Sequence, residues 1–399
     1  MEYFRKLGII EPILKSIEDE QFEKPTEIQE KSIPLILTGE DVIAGAATGS
    51  GKTLAFAADI IQKAKKGDGI QALVLTPTRE LAQQVAAALR VFSKYKPLKI
   101  IAIFGGLSIN PQMEQLRTAD VVVGTPGRIL DHIGRRTINL RSVNTLVLDE
   151  ADRMLDMGFI DDVKQIIREC PRERQTLLFS ATIPREIAQL AQRYMRAPVE
   201  VAAEPYVDPT KLTQFYYDVP DNLKFSLLVH LLKHEKAGLV MVFCNTRKNT
   251  DFVANNLKAA GIDALAIHGG LTQDKRDRVM QRFHAQNVCV LVCTDVAARG
   301  LDIPGVSHIY NYDIPKDSND YIHRIGRTAR AGEEGRAINI LASRDHDSFR
   351  RVMRLRDVTI TEERLPDVKK VGIKWKEQPQ RKTMRPRGRA AYRGRASYF

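Results

Sequence analysis

Three acidic residues follow a short apolar run in the second quarter of the chain, at Asp149, Glu150 and Asp152. The apolar run, residues 146–148, is typical of a buried strand, so the acids would emerge at the edge of a sheet. Open parallel sheets bind ligands outside the carboxyl ends of their strands. Asp149 is therefore placed to hold a metal ion, and Glu150 to orient or deprotonate a water molecule. A solvated acidic turn has the same short pattern, so a second motif is needed to choose between them.

That second motif is a glycine-rich loop upstream. Residues 45–53 read Gly-Ala-Ala-Thr-Gly-Ser-Gly-Lys-Thr and lie between an apolar strand pattern and an apolar helix pattern. Backbone N–H groups of such a loop cradle phosphates, while Lys52 would reach the β- and γ-phosphates and Thr53 would bind Mg²⁺. The strict spacing of the motif calls for glycine where this chain has Ala46. A phosphate loop and a downstream acid together predict a nucleotide–magnesium site.

Residues that could recognise the base of a bound nucleotide precede the loop. Pro25 and Thr26 can open a helix that has Gln29 in its first turn. A Gln amide both donates and accepts, so it can read the N6 and N7 edge of adenine. An aromatic residue such as Phe22 could stack on the base. Taken alone, these residues are better explained as a core Phe and a surface Gln.

Small, hydroxyl and Arg residues follow one predicted strand after another in the first half of the chain. Glycines let a backbone approach closely, and hydroxyl, N–H and guanidinium groups bond phosphate and sugar oxygens. These residues are Thr78 and Arg79, Gly106, Thr125 and Arg128, and Ser180 and Thr182. Ordinary turn chemistry explains each one alone. Their recurrence predicts a second ligand along the same edge, a phosphate backbone.

A second series of strand and helix patterns begins near residue 239 and lacks a Lys-containing phosphate loop. Its main feature is a cluster formed by Arg324, Arg327 and Arg330. Arg residues from another domain can stabilise the charge on a transferring phosphoryl group. A charged cluster on a helix is also typical of a solvated face. A two-domain ATPase could place this cluster across a cleft from Lys52, and closing the cleft would move both domains together.

Length and charge predict two domains and a basic arm. The 399 residues exceed one typical core. Of the net charge of +12, most lies in residues 367–399, which hold 11 Lys/Arg against 2 Asp/Glu. Arg-Gly-Arg-Ala repeats with Tyr near the end suit weak, salt-sensitive stacking and charge contacts to single-stranded RNA. We therefore expect a disordered tail that binds RNA or ribonucleoprotein partners, with a solubilising tail as the alternative.

The remaining composition favours a cytoplasmic protein. The N-terminus lacks the basic-then-apolar secretory pattern, and no apolar run approaches the roughly 20 residues of a membrane helix. The 4 cysteines are too few for a disulfide framework, and their spacing does not suit zinc. A reducing compartment and no membrane contact are therefore expected.

With these motifs in this order, the chain resembles the DEAD-box ATP-dependent RNA helicases over about residues 4–366. The resemblance implies an α/β fold with two tandem RecA-like parallel-sheet domains that close on ATP and RNA together. It implies a first domain at 1–203, a linker at 204–212, a second domain at 213–366 and a basic, disordered tail at 367–399. The implied activity is RNA-stimulated ATP hydrolysis coupled to local, non-processive separation of short RNA duplexes or to remodelling of RNA–protein complexes.

The resemblance also implies a role for each matching residue. Adenine and ribose would be bound by Phe22, Gln29 and Asp302. The phosphates and Mg²⁺ would be held by Ala47, Thr48, Gly49, Ser50, Gly51, Lys52, Thr53 and, through water, Asp149. Glu150 would activate the attacking water, and Arg327 and Arg330 would bind the γ-phosphate. ATP would be coupled to RNA and the partner domain by Asp152, Ser180, Thr182 and His323. The RNA backbone would be held by Thr78, Arg79, Gly106, Thr125, Arg128, Gly270, Gln273, Arg276, Thr294 and Arg299.

Two departures and two rival functions accompany this reading. Ala329 and Gln21 stand where the family usually has glycine, and a methyl group at Ala329 is harmless only if its φ is negative. One rival function is DNA translocation, which recognition of the RNA 2′-hydroxyl would distinguish. The other is a non-catalytic RNA chaperone that works through the basic tail, which an intact Lys52, Glu150 and Arg327 argue against.

Overall fold

The computed structural model describes residues 1–45, 50–202, 211–235, 237–298, 303, 305–329, 334–355 and 359–373. Two seven-stranded sheets account for all the strands in these ranges, and every pair of neighbouring strands is parallel. The predicted fold class, two tandem RecA-like parallel-sheet domains, is confirmed.

The first domain contains strands β1 to β7 and helices α1 to α10. The helices are α1 (Glu2–Lys6), α2 (Glu11–Asp19), α3 (Glu27–Leu37), α4 (Lys52–Lys63), α5 (Arg79–Phe92), α6 (Asn110–Leu116), α7 (Pro126–Gly134), α8 (Ala151–Asp156), α9 (Ile160–Glu169) and α10 (Arg185–Tyr194). The strands are β1 (Val42–Gly45), β2 (Ala72–Leu75), β3 (Ile100–Ile103), β4 (Val121–Gly124), β5 (Thr145–Asp149), β6 (Gln175–Ser180) and β7 (Val199–Ala202).

Helices cover both faces of this sheet, which explains why its strands are apolar throughout. Neighbouring residues of one strand face opposite cores: Val147 packs with α3, α4 and α5, whereas Leu146 and Leu148 pack with α7, α9 and α10. The strand order is β3-β4-β2-β5-β6-β1-β7. The carboxyl ends of β5, β6 and β1 are therefore neighbours, although they lie far apart in the sequence.

The second domain contains strands β8 to β14 and helices α11 to α16. The helices are α11 (Lys224–His234), α12 (Arg247–Ala259), α13 (Gln273–His284), α14 (Asp295–Ala298), α15 (Ser318–Ile325) and α16 (His346–Val352), and a short 3₁₀ helix spans Asp221–Leu223. The strands are β8 (Leu212–Asp218), β9 (Leu239–Phe243), β10 (Ala264–Ile267), β11 (Val290–Cys293), β12 (Val306–Asn311), β13 (Gly335–Leu341) and β14 (Thr361–Glu362).

The two sheets have the same strand order. The second runs β10-β11-β9-β12-β13-β8-β14, so β8 occupies the position that β1 holds in the first sheet. The chain therefore contains two copies of one architecture. Lys224 begins the helix after β8, as Lys52 begins the helix after β1, but Lys224 is buried in an ion pair with Asp345.

Two predicted segment boundaries need correction. Leu212, placed in the linker, is the first residue of β8; residues 204–210 of that linker lie outside the described residues. Residues 367–373, placed in the disordered tail, belong to the second domain, because Val368, Val371 and Ile373 pack against its core and the Val371 N–H donates to Ser226 Oγ at 3.0 Å. Residues 374–399 lie outside the described part of the chain.

Candidate nucleotide and RNA site

Lys52, Asp149 and Glu150 form a buried charged cluster where β1 and β5 end. Lys52 Nζ lies 2.7 Å from Asp149 Oδ1 and 3.9 Å from Glu150 Oε1. All three side chains are almost fully removed from solvent. The structure thus brings together the lysine of the phosphate loop and the first two acids of the acidic motif, which the strand order makes neighbours.

Burial and charge act against each other in this cluster. Burial lowers the pKa of Lys52, but the carboxylates of Asp149, Glu150 and Asp152 outweigh it, so the pKa is raised and the ammonium is retained. Burial raises the pKa of Asp149, and the charge of Lys52 opposes that rise. Among the described residues, Asp149 Oδ2 is buried and accepts no hydrogen bond. A buried carboxylate oxygen of this kind suits a hydrated cation or a further donor.

Glu150 adopts a left-handed backbone conformation, with φ +53° and ψ +53°, at the N-terminus of α8. Such a conformation costs a residue with a side chain roughly 1–2 kcal/mol. The sharp turn lets the chain leave β5 and enter α8 while Glu150 stays beside Lys52. Strained residues of this kind cluster at functional sites, which agrees with a chemical role for Glu150.

Gln29 is buried against the phosphate loop. Its Oε1 accepts a hydrogen bond from the Thr26 N–H at 3.0 Å, and its Nε2 donates to the Gly51 carbonyl oxygen at 2.9 Å. The Thr26 hydroxyl donates to the Ser50 carbonyl oxygen at 2.8 Å. Gly51 has φ +87°, and a Cβ there would lie 2.5 Å from Gln29 Nε2. The start of α3 therefore holds the end of the phosphate loop through two side chains.

Phe22, the predicted partner of the base, is 38% exposed. One edge packs against Phe92, with ring centroids 6.2 Å apart. Gln21, which precedes it, has φ +59°, a conformation that glycine adopts more readily. Gln21 therefore adopts the left-handed backbone conformation that a glycine at this position would adopt. The ring of Phe22 remains accessible to a ligand.

The third acid of the motif connects β5 to the end of β6. The Asp152 N–H donates to Ser180 Oγ at 3.0 Å, and Asp152 Oδ2 accepts hydrogen bonds from the N–H and the hydroxyl of Thr182, each at 3.1 Å. The other oxygen, Oδ1, accepts from the Arg153 N–H. Three residues predicted to couple ATP to the rest of the molecule are thus one hydrogen-bonded unit.

A narrow cleft lies between the two domains beside this unit. It is lined by Arg153 of the first domain and, from the second domain, by Asp295, Asp320, His323, Arg324 and Arg327. Arg153 Nη1 lies 3.3 Å from Asp320 Oδ1 across the cleft. His323 and Arg327, predicted from the sequence, therefore face the first domain next to the acidic motif.

Arg324 has a different role from the one its cluster suggested. Its guanidinium is buried and bonds both carboxylate oxygens of Asp295, the side-chain oxygens of Asn245 and Asn311, and the carbonyl oxygen of Asp313. The guanidinium therefore donates its hydrogen bonds to groups of the second domain and not to a phosphate. The inclusion of Arg324 among candidate arginine fingers was wrong, and the residue instead anchors α15.

The residues predicted to follow a phosphate backbone in the first domain lie at strand ends and helix starts. Thr78 caps α5 through a hydrogen bond from the Leu81 N–H, and Thr125 precedes α7. Arg79 lies against Gly106, where an added Cβ would be 1.9 Å from Arg79 Nη1 and where φ is +86°. Arg128 Nη2 donates to the Leu107 carbonyl oxygen at 3.0 Å. The strand ends β2, β3 and β4 are adjacent, so these residues share one edge.

The corresponding residues of the second domain lie at the ends of β10 and β11. Gly270 is exposed and donates its N–H to His268 Nδ1, and Thr294 begins the turn into α14. Gln273 and Arg276 contact the first domain: Arg276 Nη2 is 2.9 Å from Glu80 Oε1, and Gln273 Nε2 is 3.5 Å from the same oxygen. Glu80 was not predicted, because only the fold reveals that a buried acid of α5 meets α13.

Several predicted site residues cannot be placed. Ala47, Thr48, Gly49, Arg299, Asp302 and Arg330 lie outside the described residues. Two residues beside this site were missed. Glu80 and Arg153 each pair with a residue from a distant part of the sequence, so no local pattern marks them.

The fold and the charged cluster define a class of protein, a two-domain nucleotide hydrolase with one phosphate loop. Comparison with family models gives its family. The DEAD/DEAH box helicase model matches residues 26–190, and the helicase conserved C-terminal domain model matches residues 223–332. The chain belongs to the DEAD-box ATP-dependent RNA helicase family, whose members hydrolyse ATP.

Individual relatives agree with this membership. The ATP-dependent RNA helicase CshA of Listeria monocytogenes is 48% identical over 349 residues, which are 86% of this chain and 67% of that protein. The CshA of Geobacillus kaustophilus is 46% identical, over 86% of this chain and 74% of that protein. S. cerevisiae Dbp5, in a structure bound to RNA and ADP BeF3, has a TM-score of 0.83 at 33% identity, covering 91% of this chain and 96% of Dbp5.

None of the described helices combines the length and the apolar character that crossing a membrane requires.

Proposed function

We propose that this chain couples RNA-stimulated ATP hydrolysis to the local separation of short RNA duplexes or to the remodelling of RNA–protein complexes. One observation carries the proposal most directly. Lys52, Asp149 and Glu150 are buried together at the carboxyl ends of β1 and β5, the two strands that flank β6, and the second domain presents His323 and Arg327 beside the same acidic motif. A nucleotide held at this position would touch both domains, so its hydrolysis can depend on their closure.

The residues present fit a magnesium ion. Thr53 in the first turn of α4 and Asp149 at the end of β5 are the oxygen donors, and the buried, unbonded Oδ2 of Asp149 is the observation that supports the fit. When bound with ATP, Mg²⁺ neutralises charge on the β- and γ-phosphates. Lys52 would leave its ion pair with Asp149 and contact the phosphates when the nucleotide binds.

The chemistry of hydrolysis falls to residues with separate roles. Glu150 orients a water molecule and accepts its proton, since it lies beside Lys52 and its backbone is held in a strained turn. Arg327 and Arg330 approach the γ-phosphate from the second domain and stabilise the charge of the transition state. Phe22 and Gln29 select adenine, and Asp302 binds the ribose. The hydrogen bonds of Asp152 to Ser180 and Thr182 transmit the state of the nucleotide to the RNA edge.

RNA would lie along the aligned strand ends of both domains. The supporting residues are Thr78, Arg79, Gly106, Thr125 and Arg128 of the first domain, with Gly270, Gln273, Arg276, Thr294 and Arg299 of the second. The ion pair of Glu80 with Arg276 joins the two halves of that surface. Dbp5 and Mss116 have RNA bound in their solved structures, and the Dbp5 structure superposes over both domains. These contacts are to the backbone and carry little sequence information, so RNA choice would come from residues 374–399 or from partner proteins.

The test is ATP hydrolysis measured without nucleic acid, with single-stranded RNA, and with DNA of the same sequence. We expect strong stimulation by RNA alone. Equal stimulation by DNA would favour translocation on DNA, and hydrolysis indifferent to both would contradict the assignment of the strand-end residues. Strand annealing that survives Lys52→Ala and disappears when residues 374–399 are removed would favour the chaperone. The cytoplasmic location stays a prediction.

A further inference from the structure

One ion pair between the domains lies directly beside the acidic motif. Arg153 follows Asp152 in α8, and its Nη1 is 3.3 Å from Asp320 Oδ1 in α15. The Arg153 side chain is 3% exposed and that of Asp320 is 21% exposed. Charges this far from water interact more strongly than surface pairs. The pair therefore contributes to the arrangement of the two domains.

Helix α15 connects this contact to the residues of the second domain that face the nucleotide site. Arg324 fastens one face of the helix to the second domain through Asp295. Asp320 and His323 are three positions apart and share the other face, which borders the cleft with Arg327 just beyond the helix. A bond at Asp320 therefore sets the position of His323 and Arg327 relative to the acidic motif.

A second carboxylate lies within reach of the same guanidinium. Arg153 Nη1 is 3.5 Å from Asp156 Oδ2, in its own helix, where Asp156 is 44% exposed. When the domains separate, Arg153 loses Asp320 but keeps Asp156. Opening therefore does not leave a buried unpaired charge, which would be strongly unfavourable. The inter-domain pair can form and break during a catalytic cycle.

We propose that Arg153 is a positioning residue that pairs with Asp156 when the domains are apart and with Asp320 when they close, so that closure places His323 and Arg327 at the nucleotide. This proposal rests on the proposed function, because it assigns a role in RNA-stimulated hydrolysis. Arg153 touches neither nucleotide nor RNA in this role. Its effect passes through the position of α15.

The test compares Asp320→Asn and Arg153→Gln with wild type in ATP hydrolysis over a range of RNA concentrations. Asp320→Asn keeps the side-chain volume and removes the charge, and Arg153→Gln removes the charge and leaves a shorter polar side chain. We expect each to reduce RNA-stimulated turnover per RNA bound by about 5- to 50-fold, within the usual range for coupling between sites. For Asp320→Asn, RNA-independent turnover and nucleotide affinity should stay at wild-type values. The double variant should be no worse than the more affected single variant, because both remove one interaction.

Asp156→Asn is the matched control. It removes the other carboxylate beside Arg153 and leaves the inter-domain pair in place, so RNA-stimulated turnover should not fall. Losses that add in the double variant, or an equal loss in Asp156→Asn, would overturn the proposal. So would a parallel loss of RNA-independent turnover, since that would indicate a structural role only.

A second readout separates this proposal from the proposed function. Energy transfer between dyes on exposed Cys289 and on a cysteine introduced by Ala87→Cys, both at exposed positions in different domains, reports closure without hydrolysis. We expect Asp320→Asn to need more RNA than wild type to reach the closed signal in the presence of ATP. Wild-type turnover unmoved by RNA would contradict the proposed function. Identical closure curves for wild type and variant would overturn the role of Arg153.

Discussion

Gln29 donates its side-chain amide to the carbonyl oxygen of Gly51, with 2.9 Å between nitrogen and oxygen. The same side chain accepts from the Thr26 N–H. One residue therefore closes the first turn of α3 and fixes the end of the phosphate loop, while an N–H and a lone pair remain for a base. The sequence had suggested either a residue that recognises adenine or an ordinary surface Gln.

Gln29→Ala should change both stability and nucleotide choice. Loss of the two hydrogen bonds should lower the free energy of unfolding by about 1–2 kcal/mol, measured by denaturant titration. The preference for ATP over GTP should decrease, measured by competition for hydrolysis. Glu30→Ala, an exposed change in the same helix, is the control. Reduced stability with an unchanged preference would mean that Gln29 supports the loop and does not read the base.

Glu150→Gln should bind ATP and RNA but hydrolyse ATP about 10²- to 10⁴-fold more slowly, because an amide cannot accept the proton of water. Equilibrium binding of ATP and RNA and single-turnover hydrolysis would separate the two effects. Lys52→Ala provides the contrast, since it should weaken nucleotide binding itself. Turnover of the Glu150 variant at the wild-type rate would refute the assignment of the base.

Ala329→Gly should be nearly neutral for stability. Ala329 has φ +54°, so glycine would relieve strain of about 1–2 kcal/mol. Against this, the buried methyl group contributes about 0.8 kcal/mol and glycine loses more backbone entropy. The effects offset each other to within about 0.5 kcal/mol. Ala86→Gly, at a buried position inside α5, lacks the relief of strain and should lower the free energy of unfolding by roughly 1.5 kcal/mol. Equal losses in the two variants would show that the methyl group at Ala329 is not strained.

His132 should make the protein less stable in acid. Burial, reinforced by the charge of Arg128, lowers the pKa of His132 below 6.5, its ordinary value. The unfolded chain therefore binds a proton more readily than the folded protein. The stability that neutral His132 contributes is fully present above pH 6.5, and it is lost as the pH falls from there towards the pKa of His132 in the folded protein. His132→Gln should flatten the pH dependence of unfolding below that value, whereas a change at the exposed His284 should not. A slope unaltered by His132→Gln would contradict the lowered pKa.

Truncation after Ile373 should weaken RNA binding and spare chemistry. Residues 374–399 hold 9 Lys/Arg and 1 Glu, so their removal should raise the apparent KM for RNA and reduce the salt dependence of binding. The maximal turnover and the melting temperature should not change. Truncation after residue 366 should also lower the melting temperature, because it removes Val368, Val371 and Ile373 from the core. If removal of residues 374–399 did not change the salt dependence of RNA binding, the proposed role of this segment in RNA binding would be wrong.

The predicted strands that were found share a simple signal. Residues 72–75 and 239–243 are short apolar runs between turn residues, and the structure has strands at both. Three further strands of the second domain, β8, β13 and β14, were not predicted. Strand β8 has three aromatic residues in a row between polar residues, and β14 has only 2 residues. Strand β13 pairs with β12 and β8, and β14 pairs with β8, so their place in the sheet depends on distant segments that a local pattern does not contain.

The sequence by itself determined the family and the two-domain parallel fold, and it gave the candidate residues for a nucleotide site. These follow from local signals: a glycine-rich loop before a Lys and Thr, and an acidic run after an apolar strand. Only the tertiary structure decided which charges meet. It buried Arg324 against Asp295, brought Arg276 to Glu80 and joined Arg153 to Asp320 across the domains. The physical reason is distance along the chain, because each pair forms only after separate strands and helices have packed into place.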